Sequence, residues 1–541
     1  MAQLAIGQGV YPERALEAEP HPEVLSNPAL AFNDSQLRAL RVASASPIEY
    51  LWGPPGTGKT RTVAAIAEEH MRSGRRVIVA CPSNAATDVA AKAIADRLQG
   101  DPVFERGEVL RVGPHPGASL RKTYGDRVVP QLLAARLAEE KYCAKRRELE
   151  ERIRAMEAQG QVTVGSVAAS HLADVVHASE ITRCKEALYR LEAAMVAYER
   201  QVFDKLLDDC RILVTTVHNV YLSRQVRGEW DVVIIDEASM VSVPQIYLAA
   251  GLATGSGGGS RHIIIAGDFR QLPPPVASGH PDEIPWLGVD VFHRVGIPGD
   301  VLHGDDPPYL VLLDEQYRMV PEIAGFVSDI FYDGRLRTAP SVRRRVRTRW
   351  ALSSHGLTYV DTSQLSPQAR IPSGTSTREN LVHARVVADL VASLTDGGSG
   401  PPTEEVLILS PYTGQVERLH KSISHFTRSS GLRGITVASV HRAQGSEAST
   451  VIFTIDDAPG AAPSQFMRAR DGSAAGARLL NVALSRARDR AVIVLDMDFL
   501  KRCAGPVVQE FVYALEAEGT LIDAADIDGA WEERFGAPLA R

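Results

Sequence analysis

Gly53-Pro54-Pro55-Gly56-Thr57-Gly58-Lys59-Thr60 satisfies the pattern GxxxxGK[ST] and lies between an apolar run, Ile48–Trp52, and a helix-like run over residues 60–70. Glycines let successive backbone N–H groups turn inward around phosphate oxygens, while Lys59 reaches the β/γ-phosphates and the Thr60 hydroxyl faces Mg²⁺. The order strand, loop, helix is the one a nucleoside-triphosphate grip requires. Gly53, Pro54, Pro55, Gly56, Thr57, Gly58, Lys59 and Thr60 are therefore the first candidate binding residues.

Upstream, Asn33-Asp34-Ser35-Gln36-Leu37 opens a helix with Asn33 or Asp34 as N-cap. Gln36 gains interest from its place ahead of the phosphate loop, since a carboxamide both donates to and accepts from an adenine edge. Residues 1–32 read equally as an arm on the first domain or as a disordered tail. Downstream, the apolar run at 76–81 suits a buried parallel strand and ends in Pro82-Ser83-Asn84. The run Ile212–Thr216 likewise ends in hydroxyls, and that strand edge is where open α/β sheets bind ligands. Residues 231–235 form another buried strand delivering Asp236 and Glu237, the first placed to hold Mg²⁺ and the second to orient and deprotonate water. A further strand over 262–266 leads to Gln271, placed to sense the γ-phosphate.

Residues 101–208 are too long for a plain α/β connection. Ile181, Cys184, Leu188, Leu191, Met195, Tyr198 and Val202 keep a 3-4-3-4 spacing, and Val128, Ala135, Tyr142, Leu149 and Met156 recur every seven residues. The pattern predicts an antiparallel helical hairpin reversing between residues 160 and 180. Its charges, Lys145, Arg146, Arg147, Arg152 and Arg154, interleave with glutamates as a solvated face does, although a polyanion contact stays open.

A boundary falls over residues 297–308, beyond which α/β alternation resumes at 310–313, 406–409, 435–440, 451–455 and 491–495. A chain of 541 residues exceeds a single core, which rarely grows past about 250 to 300 residues. Its net charge of -7 excludes a polybasic chain but not a local basic groove. Cys81, Cys143, Cys184, Cys210 and Cys503 show no CxxC, so no zinc ribbon is expected, and they read as reduced core thiols. No apolar run of about 18 residues and no signal pattern is present, which predicts an intracellular, cytoplasmic protein, or a nuclear one in a eukaryote, away from membranes.

In order, GPPGTGKT, CPSNAATD, IIDEAS, GDFRQLPP, QYRM, SVHRAQGSE and NVALSRAR resemble the superfamily 1 helicases of the nonsense-decay and senataxin-like type, from about residue 33 to about 497. The resemblance implies an α/β fold of two RecA-like parallel-sheet domains, with ATP and Mg²⁺ between them and single-stranded RNA or DNA across their tops. It implies limits of 33–305 for the first domain, including the 101–208 insertion, 306–498 for the second, with an arm over 1–32 and an extension over 499–541. By the same resemblance Gln36 reads adenine, Tyr317 stacks on the base, Arg318 and Arg486 reach the γ-phosphate, Gln271 couples hydrolysis to grip, and Glu447 near Gly445 contacts ribose. Pro82, Ser83, Asn84, Thr215, Pro411, Tyr412, Ser439 and His441 fall where the family touches the strand. An arginine fork suits a phosphoryl transition state, where it is worth roughly 10³ to 10⁵ in rate.

Three departures stand out. The residues ahead of Asn33 are too few for the β-barrel many relatives carry, and no Cys/His-rich module is present; His441 stands where some relatives have an acid. The expected function is an ATP-dependent helicase or translocase moving 5′ to 3′, acting as a monomer, with a protein partner open at the hairpin. An ATP-switched clamp that remodels ribonucleoprotein without unwinding, and a non-catalytic scaffold, remain alternatives. An arginine run at Arg343, Arg344, Arg345, Arg347 and Arg349 reads equally as a strand contact or a solvated turn.

Overall fold

A computed structural model describes residues 1–9, 11, 16–26, 31–160, 170–223, 226, 228–255, 261–276, 280–345, 350, 352–394, 405–427, 435–470 and 475–535. The first parallel strands are β1 (Ile48–Trp52), β2 (Val77–Cys81), β3 (Val109–Val112), β4 (Ile212–Thr216), β5 (Val232–Ile235), β6 (His262–Gly267) and β7 (Leu310–Leu312). Contacts divide the chain into two compact units, one of Met1, 63–236 and 248–263, the other of 2–62, 237–247 and 264–541.

In the first unit the strand order is β3-β4-β2-β5, all parallel, with Val77 opposite Ile212 and Val232 and with Val109 opposite Ile212. Every strand residue is buried, which explains the unbroken apolar runs. The sequence gives β3 no such run, because Arg111 interrupts it. The structure accommodates that charge by pairing: Arg111, fully buried, donates from Nε to Asp88 Oδ1 at 2.8 Å and from Nη2 to Asn84 Oδ1 at 3.2 Å. Residues 109–112 thus belong to the sheet, and the departure from α/β alternation is the helix pair Pro130–Gly160 and Ser170–Asp209.

These helices pack antiparallel, since Tyr142 lies 6.0 Å from Tyr198 by ring centroid while Glu157 pairs with Lys185 at 2.7 Å. Ile153, Met156 and Cys184 form a small core with Ile181 and Leu188 against it. On the first helix Ala134 and Ala138 take inner positions and Ala135 faces out, a one-residue shift from the heptad reading. Arg146 pairs with Glu139 at 2.6 Å and Glu150 at 3.6 Å, as expected of an interleaved charged face. Of the 160–180 reversal, residues 161–169 lie outside the described residues, as do Arg347 and Arg349 of the arginine run.

In the second unit β1 lies between β6 and β7, and Tyr50 pairs with Leu310. Part of the amino-terminal segment packs here: Ala5 is buried, and Tyr11 stacks on Tyr309 with centroids 4.3 Å apart. A second parallel sheet holds β8 (Leu357–Asp361), β9 (Val406–Ser410), β10 (Ile435–Ser439), β11 (Ala448–Thr454), β12 (Ala487–Leu495) and β13 (Thr520–Leu521). Their order is β10-β9-β11-β12-β8-β13. Val360, Ile408, Ile452 and Val492 fill its core with helix Leu381–Leu394. Register sets Ser410 opposite Ser439, so the ends of β9, β10 and β11 share one edge. Cys81, Cys184 and Cys210 are buried, but Cys143 is half-buried and Cys503 exposed, so the core-thiol reading holds for three of the five. No helix among the described residues is long and apolar enough to cross a membrane.

Candidate nucleotide site and nucleic-acid edge

The phosphate loop takes its shape from glycine. Gly56 and Gly58 hold φ of +76° and +78°, where an L side chain costs roughly 1–2 kcal/mol. A Cβ at Gly56 would stand 2.6 Å from Arg318 Cβ, and one at Gly58 2.8 Å from Gln36 Nε2. The Thr57 hydroxyl closes the turn on Pro54 O at 2.7 Å. A loop kept clear of Cβ atoms, with a lysine at its end, fits a triphosphate.

Strand β5 ends in Asp236, buried, whose N–H donates to Ala80 O at 3.0 Å. Glu237 follows with φ 53° and ψ 38°, left-handed for a residue with no glycine freedom, a conformation proteins keep where position matters. Its Oε1 lies 2.9 Å from Lys59 Nζ. Burial alone would raise the carboxyl pKa, but the Lys59 charge and hydrogen bond, then Arg486 and Arg318, outweigh it and hold it below the usual carboxylate value.

Arg318 donates from Nε to Glu447 Oε2 at 2.7 Å and from Nη1 to Ser485 O at 3.1 Å. Arg486 is buried and donates from Nη2 to Gln271 Oε1 at 3.1 Å and from Nε to Val482 O at 3.1 Å. Burial, then repulsion from Arg318, pushes its pKa down to about 10, which leaves it charged at neutral pH. Lys59, Glu237, Gln271, Arg318 and Arg486 thus gather in one charged cluster, drawn from far-separated parts of the chain. Gly445, at φ +83°, opens the turn that leads to Glu447.

Behind the cluster stands a network that sequence reasoning missed. Asp268 Oδ2 accepts from Gln271 Nε2 at 2.7 Å and from the Tyr332 hydroxyl at 2.6 Å, and its Oδ1 accepts from Trp52 Nε1 at 3.0 Å. Asn481 Nδ2 donates to the Tyr332 hydroxyl and to Arg270 O, both at 2.8 Å. Burial raises the Asp268 pKa despite these donors. Asp268 and Asn481 sit inside quoted motifs, but nothing local marks Tyr332. Arg345 also acts here: its guanidinium donates to Arg318 O at 2.8 Å and Tyr317 O at 3.1 Å and pairs with Asp489 at 3.2 Å, fixing the backbone of the Tyr317-Arg318 pair.

Near the loop, Asn33 caps helix Asp34–Ala45 and forms a capping box with Gln36. Gln36 accepts from Asn33 N–H at 3.2 Å and donates to Thr57 O at 3.0 Å, which leaves one lone pair and one N–H of the carboxamide for a base. Asn33 Nδ2 reaches the Tyr317 hydroxyl at 3.0 Å, and Tyr317, whose N–H donates to Gly56 O at 2.8 Å, keeps 38 % of its surface exposed.

The strand candidates divide by accessibility. In the first unit Ser83 is exposed but caps helix Asn84–Leu98, Pro82 and Asn84 are half-buried, and Thr215 is buried with its hydroxyl donated to Val112 O at 2.8 Å. In the second, Pro411, Tyr412 and Ser439 are buried, while His441 is exposed. The Tyr412 hydroxyl donates to Asp457 and lies 2.7 Å from Ser464 Oγ. Thr215 and Tyr412 are therefore placed to support the edge from beneath.

Parallel α/β sheets, a phosphate loop, an acid pair and two converging arginines define the RecA-like P-loop class. Two family models, each described as an AAA domain, match residues 31–279 and 302–498. The chain belongs to the superfamily 1 helicases of the nonsense-decay and senataxin-like type, with two RecA-like domains. It is similar to the DNA polymerase alpha-associated DNA helicase A of Schizosaccharomyces pombe, 25% identical over 91% of this chain and 67% of that protein. It is also similar to the Regulator of nonsense transcripts 1 homolog of Drosophila melanogaster, 25% identical over 91% of this chain, and to Helicase SEN1 of Saccharomyces cerevisiae, 24% identical over 87%. The chain spans 36% and 23% of the length of the last two.

Proposed function

We propose that the chain is an ATP-dependent motor on single-stranded RNA or DNA, moving 5′ to 3′, with residues 33–305 together with β7, which pairs with β1, as one lobe, the β8–β13 sheet as the other, and the helix pair Pro130–Gly160 and Ser170–Asp209 as an insertion in the first. The observation that carries this is the gathering of Lys59, Glu237, Gln271, Arg318 and Arg486 in one charged cluster. Bound ATP would supply the transferable phosphoryl group, and Mg²⁺, for which Thr60 and Asp236 are the candidate holders, would offset its charge. Lys59 exchanges Glu237 for phosphate oxygens. Glu237, released from that lysine, regains basicity and orients the attacking water. Arg318, leaving Glu447, and Arg486, steadied by Gln271, neutralise charge that develops in the transition state. Tyr317 offers a face to the base and Gln36 its carboxamide. Lys59, Glu237 and Arg318 change partner with the nucleotide state, which is how hydrolysis can alter the grip on a strand.

Phosphate release measured with and without matched single-stranded RNA and DNA, across a salt series, tests the reading. Stimulation by a strand is expected; an intact, folded protein that shows none would overturn it. Strand displacement from opposite overhangs tests direction and separates a motor from a clamp.

A further inference from the structure

We propose that Phe466, which lies outside every quoted motif, is the ring on which a base of the bound strand stacks, with Arg468 and Arg470 taking neighbouring phosphates. The inference rests on the single-strand reading above and names a contact within it. Tyr412, the aromatic the sequence offers at this edge, keeps only 6% of its surface exposed, and its hydroxyl is held by Asp457 and Ser464. Buried to that degree, its π-face cannot stack on a base. Phe466 can. Its ring centroid lies 6.4 Å from that of Tyr412 and 6.4 Å from that of exposed His441, and the ring is half-buried.

The segment is anchored from below. Ser464 N–H donates to Asp457 Oδ1 at 2.7 Å, Met467 N–H donates to Ser464 Oγ at 3.2 Å, and Asp457 pairs with Arg378 at 3.2 Å. A Cβ at Gly476 would stand 1.8 Å from Phe466 O, so helix Ala475–Leu484 presses directly on this backbone. Met467 and Ala469 are buried while Arg468 and Arg470 are exposed, and Arg442 is exposed beside His441. Among the described residues the acids nearest by chain, Asp456 and Asp457, are fully buried, which leaves Arg442, Arg468 and Arg470 as the exposed charges beside the ring; Asp471 lies outside the described residues. A rigid ring among arginines, above a buried support, is the arrangement that holds single-stranded nucleic acid through π-faces and phosphates without reading sequence.

The test measures affinity of the full chain for fluorescein-labelled oligo-dT and oligo-U over a salt series, with the variants F466L, F466W and R468Q/R470Q. F466L keeps an apolar side chain against Tyr412 but has no π-face, and is expected to bind about tenfold or more weakly with an unchanged salt slope. F466W should restore affinity and show tryptophan quenching on binding. The double arginine variant should reduce the log–log slope by about 1.4, two contacts at about 0.7 each for single strands. If the wild type binds and F466L binds equally well, the stacking inference is overturned while the motor reading stands. A wild type that binds neither oligonucleotide overturns the motor reading and the inference together.

Discussion

In the candidate nucleotide cluster the charged groups are met from within: Lys59 by Glu237, Arg318 by Glu447 and Arg486 by the carboxamide of Gln271. At the edge of the second sheet the partnered groups are Ser410, Tyr412, Asp456 and Asp457, all buried, while His441 and Arg442 stand outside. One region holds its charges in pairs that the proposed cycle would exchange. The other sets its working side chains on a buried support that does not need to change. Phosphoryl chemistry requires charge preorganised in a dry site, whereas a sequence-blind grip needs surface that is stiff yet accessible.

The largest expected effect breaks the first region alone. Arg486→Ala should lower strand-stimulated ATP turnover by roughly 10³ or more, and Arg486→Lys should not rescue it, because a point charge lacks the planar fork. Retention of more than a tenth of wild-type turnover would contradict the role given to Arg486. Glu237→Gln should cost about 10² to 10⁴ in turnover while nucleotide still binds, measured by phosphate release beside fluorescent-nucleotide titration.

Glu237 also gives a pH signature. Its folded pKa is depressed, so its contribution to stability is present above the ordinary carboxylate value and lost as pH falls through the folded value. Melting temperatures from pH 6 downward should therefore fall less steeply for Glu237→Gln than for the wild type; parallel curves would refute the pairing with Lys59.

Tyr332→Phe probes the support behind the cluster. It removes a donor from Asp268 and an acceptor from Asn481, and should lower stimulated turnover about tenfold with little change in KM for ATP, together with a stability loss of about 1–3 kcal/mol. A stability loss with turnover intact would reduce the network to architecture. The smallest effect belongs to neither region: Arg154→Ala, on an exposed hairpin ion pair, should change stability by no more than about 0.5 kcal/mol in thermal melts.

Much of this molecule is legible wherever a signal is local. Apolar runs named β2, β4, β5 and β6 within a residue or two, because a strand buried on both faces leaves no polar position. Asn33 announced a cap, and the glycines of the phosphate loop announced a backbone that side chains would block. β3 escaped because its buried arginine is tolerable only through Asp88 and Asn84, which lie well upstream. Of the candidate site, Lys59, Glu237, Arg318 and Arg486 could be named from motifs, while Tyr332 and Arg345 could not, since their partners lie on distant segments.

The sequence by itself determined the fold class and the kinds of group available at the nucleotide, for these follow from periodicity, glycine placement and residue chemistry over short spans. Only the tertiary structure decided which hydroxyls and rings are usable. Thr215 and Tyr412 are covered and hydrogen-bonded within, while Phe466 remains accessible. Burial is a property of what packs on a residue, and that depends on neighbours far away in the chain.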